Sequence, residues 1–100
     1  MYYAIFGTDK PNSLALRKQV RPAHIERIGE LVSQGRLLTA GPHPANDQRD
    51  PGDAGFTGSL IIAEFDSQLE AERWAEQDPY WTEGVFDSVV VKPYKQVLPE

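Results

Sequence analysis

The sequence predicts a single α+β domain: a four-stranded antiparallel sheet with two helices on one face. Three observations predict it. Apolar residues recur at three- and four-residue spacing in two separate stretches, Leu14 to Val32 and Leu69 to Ala75. Four runs rich in aromatic and β-branched residues are each bounded by Gly, Pro or Asp. The chain has 100 residues, enough for one core, and no cysteine to staple a smaller one.

Taken in order, Tyr2 to Gly7 is the first strand, an aromatic and aliphatic run ended by Gly7, Thr8 and Asp9. Lys10 and Pro11 turn the chain, and Asn12 or Ser13 can cap a helix. Ser13 to Gln34 carries the first apolar stripe, but Pro22 interrupts it. Proline suits a first helical turn and kinks a helix interior, so the stretch is either two short helices or one kinked one. Gly35 is a suitable stop. Arg36 to Ala40 reads as the second strand, closed by Gly41, Pro42 and Pro44. Ala45 to Thr57 is a long connection of the length that often forms a lid or binding loop. Its acids Asp47, Asp50 and Asp53 do not fit the calcium-loop pattern. Ser59 to Phe65 is the third strand. Asp66 or Ser67 caps a second helix that ends at Asp78-Pro79, because proline disfavours helical geometry in the residue before it. Tyr80 to Gly84 is a turn or helical fragment, and Phe86 to Tyr94 is the fourth strand. This order is the ferredoxin-like βαββαβ arrangement.

Both sheet faces are apolar in this reading. Strand three places Leu60 and Ile62 on one side and Ile61, Ala63 and Phe65 on the other. Strand four places Phe86 and Val90 against Val89 and Val91. Two helices cover only one face. The uncovered one is expected to pack against a second copy in a symmetric homodimer.

Composition excludes several function classes. The formal net charge is −5, with Lys and Arg scattered, which argues against nucleic-acid binding. Arg17, Lys18 and Arg21 form the one basic cluster, read chiefly as a solvated helix face with an anion contact as the alternative. No run is long and apolar enough to span a membrane, and no signal-peptide pattern opens the chain, so a cytoplasmic protein is expected. Disulfide and thiolate chemistry are absent with cysteine. Two histidines without a carboxylate at ligand spacing make a poor metal site, and no metal or cofactor is expected.

The residues that could carry chemistry centre on His24. It lies four residues after Val20 and four before Ile28, at or beside the apolar stripe. A packed histidine with one hydrogen bond is the ordinary alternative. If Pro22 restarts the helix, His24 falls in a first turn, where the helix dipole favours the neutral imidazole that a general base needs. His24 is eleven residues past Ser13, and Asp78 is eleven past Ser67. On roughly parallel helices, at about 1.5 Å per residue, the two sit at one height. A His24–Asp78 pair would fix the imidazole tautomer and stabilise the protonated ring. Asp78 before Pro79 is equally well placed as an N-cap, and both roles can coexist. Around the pair, Gly41 and Pro42 are expected at the end of strand two, with Ser59 at the start of strand three offering a hydroxyl to a ligand. Tyr80 and Trp81 could stack on a planar substrate or pack in the core or dimer. His43, between two prolines, is expected to be exposed.

The segments Val20-Arg-Pro-Ala-His24, Gly35-Arg-Leu-Leu-Thr-Ala-Gly-Pro42, Ala54-Gly-Phe-Thr-Gly-Ser59, Asp78-Pro-Tyr80 and Val91-Lys-Pro93 span nearly the whole chain in order. In them the sequence resembles the YciI family. The resemblance implies a ferredoxin-like fold of the dimeric α/β-barrel superfamily and a His–Asp pair, falling on His24 and Asp78, near the dimer interface. Some relatives are similar to dehydrochlorinases of chlorinated hydroxyquinols. The reading is a small-molecule enzyme using acid/base chemistry without a cofactor, by elimination or tautomerisation of a ring compound. The alternative is a dimeric ligand-binding or scaffold protein without turnover.

Overall fold

The computed structural model describes residues 1–100. Its strands are β1 (Tyr2–Asp9), β2 (Leu37–Pro44), β3 (Phe56–Glu64) and β4 (Phe86–Tyr94). Its helices are α1 (Leu14–Ser33), α2 (Gln68–Glu76) and the short α3 (Pro79–Thr82). The strands lie in the order β2-β3-β1-β4, each antiparallel to its neighbour. This is the ferredoxin-like α+β fold, with α3 as an extra turn before β4.

Alternation along the strands decides which residues face the helices. Tyr3 and Ile5 of β1 and Ile61 and Ala63 of β3 meet Ile28 and Leu31 of α1 and Ala71 and Ala75 of α2. Phe65 closes that core against Tyr3 and Trp74. Burial of each large side chain such as Leu31, 2% exposed, contributes about 1.5–3 kcal/mol. A smaller cluster of Tyr80, Val85 and Phe86 sits under the first half of α1, against Leu16 and Val20. Gly7 makes that cluster possible: a methyl at Gly7 would run into the Phe86 ring.

Of the two alternatives for Ser13 to Gln34, the structure has the single helix: α1 contains Pro22. Arg17 lies before the proline and His24, Ile28 and Leu31 after it, and all four are buried on one stripe. Packing of that stripe outweighs the one hydrogen bond that Pro22 cannot donate. Other expectations are corrected. Strand β2 continues past Gly41 to Pro44. It is an edge strand, where proline without an N–H is tolerated. Strand β3 starts at Phe56, which places Ser59 inside it. A register shift at the β1–β4 pairing, with Thr8 opposite Ser88 but Asp9 opposite Phe86, turns Phe86 to the helix-covered face. Phe86 therefore packs with Val89, not beside Val90.

The other sheet face carries Ala4, Phe6, Leu60, Ile62 and Val90 and has no helix over it. Phe6 is 39% and Val90 46% exposed. No helix of the structure is long and apolar enough to cross a membrane.

Candidate functional site

The site grows from the one stripe of α1 that faces the sheet. Positions 17, 21, 24 and 28 recur at alternate spacings of four and three, so Arg17, Arg21, His24 and Ile28 line one side of a cavity of about 280 Å³. The opposite wall comes from β2 and β3, including Gly41, Pro42 and Ser59, and Tyr80 of α3 lies at its side. A larger hollow of about 640 Å³ opens beside Met1, Arg36 and Trp74. It is lined by charges of both signs and contains no buried ion pair, so the chemistry concentrates in the smaller cavity.

His24 is 5% exposed, and its Nδ1 stands 2.8 Å and 3.0 Å from the two carboxylate oxygens of Asp78. Asp78 is 3% exposed and caps α3, its Oδ1 also accepting the Tyr80 backbone N–H at 2.9 Å. The cap and the imidazole contact therefore coexist on one side chain. A carboxylate accepts, so Nδ1 carries a proton; in the neutral ring the lone pair is then on Nε2, which makes no hydrogen bond in the protein. The Tyr80 ring stacks on the imidazole, 3.8 Å between centroids and 10° from parallel, and meets Phe86 edge-on at 5.4 Å. The imidazole is held in its plane by a ring and at one nitrogen by a carboxylate.

His24 is the eleventh residue of a continuous helix, not in the first turn of a restarted one. The expectation that a helix dipole favours its neutral form is overturned, because that effect dies within the terminal turn. What orients the ring is Asp78 and Tyr80.

Arg17 is the second correction. It is not solvated but 5% exposed. Its Nε donates to Asp9 Oδ2 at 2.8 Å, and its Nη2 to Asp9 Oδ1 at 3.0 Å and to Ser59 Oγ at 2.8 Å. The guanidinium also lies 4.6 Å from the centre of the Tyr80 ring and 5.3 Å from that of Phe56. Arg17 thus ties Ser59 and Tyr80 to the end of β1. The signal was present in the spacing: Arg17, His24 and Leu31 are seven residues apart, on one line of a helix. Asp9 gave no such signal, since a strand-end aspartate reads as a turn residue.

Five of the six residues singled out from the sequence line the cavity: His24, Gly41, Pro42, Ser59 and Tyr80. The sixth, Asp78, lies behind the imidazole. Trp81 is not among the lining residues; it is 40% exposed and borders a different hollow, beside Val89 and Val91. His43 is exposed on the edge strand. No three His, Cys, Asp or Glu side chains are grouped so as to hold a metal ion. Arg27 stacks 4.3 Å from the Trp74 ring centre. Burial pulls its guanidinium down from the ordinary value, against the raising effect of Asp78 and Glu30.

Burial pushes the Tyr80 phenol up, against the lowering effect of Arg17 and Arg21. The neutral phenol is the form that the fold holds. Its contribution to stability is complete below the unfolded-state value of about 10 and is lost as pH rises through the higher folded value. In a near-ultraviolet titration, the component missing from Tyr80→Phe is expected to ionise above the ordinary tyrosine range. Alkaline loss of stability should be shallower in that variant. A Tyr80 component that ionises at or below that range would contradict the burial argument.

Comparison with known proteins adds the family. Residues 1–95 match the YCII-related domain, and the chain belongs to that family. It is 56% identical over 98 residues to protein YciI of Escherichia coli O6:H1, covering 98% of this chain and all of that one. It is 52% identical over 98 residues to an uncharacterized protein of Haemophilus influenzae, with the same coverage. Among solved structures it resembles the 5-chloro-2-hydroxyhydroquinone dehydrochlorinase TftG of Burkholderia phenoliruptrix AC1100, in complex with 2,5-dihydroxybenzoquinone. The TM-score is 0.82 at 28% identity, over 95% of this chain and 94% of that one.

Proposed function

We propose that this YCII-related protein is a small-molecule enzyme in which His24 moves a proton at a ring substrate and Asp78 orients it, with no cofactor. The observation that carries the reading is a single imidazole with one nitrogen engaged by a buried carboxylate and the other unpaired, in a ring-sized cavity. That arrangement suits a general base which becomes a general acid once protonated. Elimination and tautomerisation need no nucleophile. In a dehydrochlorination, His24 takes a proton from the non-aromatic keto tautomer of the ring, at the sp3 carbon beside the one that bears chlorine; the C–H electron pair forms the new π bond, and chloride departs with the C–Cl pair. The resemblance to a dehydrochlorinase and the planar Tyr80 wall favour that class. Ser59 and the backbone near Gly41 and Pro42 would hold a substrate oxygen. The open sheet face with Phe6 and Val90 would be covered by a second copy of the chain.

The test is chloride release from 5-chloro-2-hydroxyhydroquinone, followed by ion chromatography, on protein that sedimentation expects at twice the 11.2 kDa chain mass. Release above the spontaneous rate is expected. Tight binding of 2,5-dihydroxybenzoquinone without release from that or related chlorinated ring compounds would favour a ligand-binding protein. A monomer would remove the second copy from the reading.

A further inference from the structure

We propose that the cavity selects an anion, a ring compound with an ionised oxygen conjugated to the ring such as a phenolate or enolate, and that Arg21 reads that charge. The inference rests on the acid/base reading of the same site and names its substrate class.

The chain carries 15 acidic and 10 basic residues, yet no Asp or Glu lines this cavity. Its two lining arginines differ. Arg17 is neutralised by the bidentate contact with Asp9. Arg21, one turn further along α1, forms no ion pair, and its charge is felt at the Tyr80 phenol. Asp78 sits behind the imidazole with its oxygens engaged by His24 and the Tyr80 N–H.

The Ser59 hydroxyl points to the same chemistry. Its oxygen accepts from Arg17 Nη2, a group that can only donate. Its own proton has no acceptor in the protein and is available to a ligand. A cation and a hydroxyl donor thus share a cavity with the free Nε2, between apolar residues such as Ile25, Ile28 and Leu37. An oxygen anion held by Arg21 and Ser59 fits that set. With the anion bound, protonated Nε2 delivers its proton to a ring carbon: the ring C=C pair forms the C–H bond and an oxygen lone pair forms C=O. In the reverse direction neutral Nε2 takes that proton from the keto tautomer, the C–H pair forms C=C, and the C=O π pair returns to the oxygen as the anion held by Arg21 and Ser59.

The probe is 4-nitrophenol, whose neutral and ionised forms are distinguished by absorbance and interconvert near neutral pH. Wild type is expected to bind the anion more tightly, seen as a lowered pKa of the bound probe. Arg21→Gln should weaken anion binding about fivefold and leave the neutral form unchanged. Arg21→Lys should restore most of the preference, and Lys18→Gln, an exposed charge on the same helix, should not disturb it. The preference should survive in His24→Asn, where proton transfer is lost, so the two readings fail separately. Equal or tighter binding of the neutral form, no binding of either form, or an Arg21→Gln variant that behaves as wild type would each overturn the proposal.

Discussion

His24→Asn is expected to lower kcat by about 10²- to 10⁴-fold on any substrate the protein turns over, while the fold stays intact. The physical case is specific to this pair. Asparagine can still donate an amide N–H to Asp78, so the buried carboxylate keeps a partner and α3 keeps its cap. What disappears is a side chain able to take a proton and then give it back. Asp78→Asn should lower the rate through a different route. Asparagine is a good N-cap, so α3 should persist, but its amide can donate to Nδ1 and so stabilise the wrong tautomer, leaving no lone pair on Nε2. Because the two side chains act as one unit, the double variant should be little slower than the worse single variant. Circular dichroism and melting of each variant would show that the loss is chemical. Normal turnover in both single variants would leave His24 as a packed histidine and end the acid/base proposal.

Much of this arrangement was legible before any coordinate. The strand and helix order followed from two periodicities and their Gly and Pro boundaries. Equal chain lengths along neighbouring helices made a His24–Asp78 contact possible, while an N-cap role explained Asp78 equally well. Gly41, Pro42 and Ser59 were expected beside the pair as strand ends; they do line the cavity, but from inside β2 and β3. What was not legible depended on contacts between distant segments. Pro22 is an ordinary helix breaker locally, and only burial on both sides of it keeps α1 whole. Phe86 changes face because of a register shift that no alternation pattern reveals. Arg17 reads as a solvated cation until Asp9, at the end of β1, supplies its carboxylate. Charged residues on an apolar stripe are hidden from hydrophobic periodicity, which scores them as polar whether or not a partner waits inside.

That hidden pair carries the largest expected effect on stability. Asp9→Ala should destabilise the protein by about 3–5 kcal/mol, because it strands a buried guanidinium without its carboxylate. The side chains of Arg17 and Asp9 are 7% and 3% exposed, so water cannot take over the lost contacts without opening the structure. For a domain of this size the loss corresponds to a fall in Tm of roughly 15 °C or more. The position makes the effect more than local. Arg17 reaches Asp9 at the end of β1, Ser59 in β3 and the Tyr80 ring beside α3, so one freed guanidinium loosens three elements around the cavity. Removing the charge as well as its partner should recover part of the loss. Asp9→Ala combined with Arg17→Met leaves an apolar side chain of similar length against Phe56 and Tyr80, with no buried ion to solvate. The double variant is expected to melt above Asp9→Ala alone. A single Asp9→Ala variant that melts within a degree or two of wild type would mean that the pair is open to solvent, and that Arg17 does not anchor Ser59 and Tyr80 at the cavity wall.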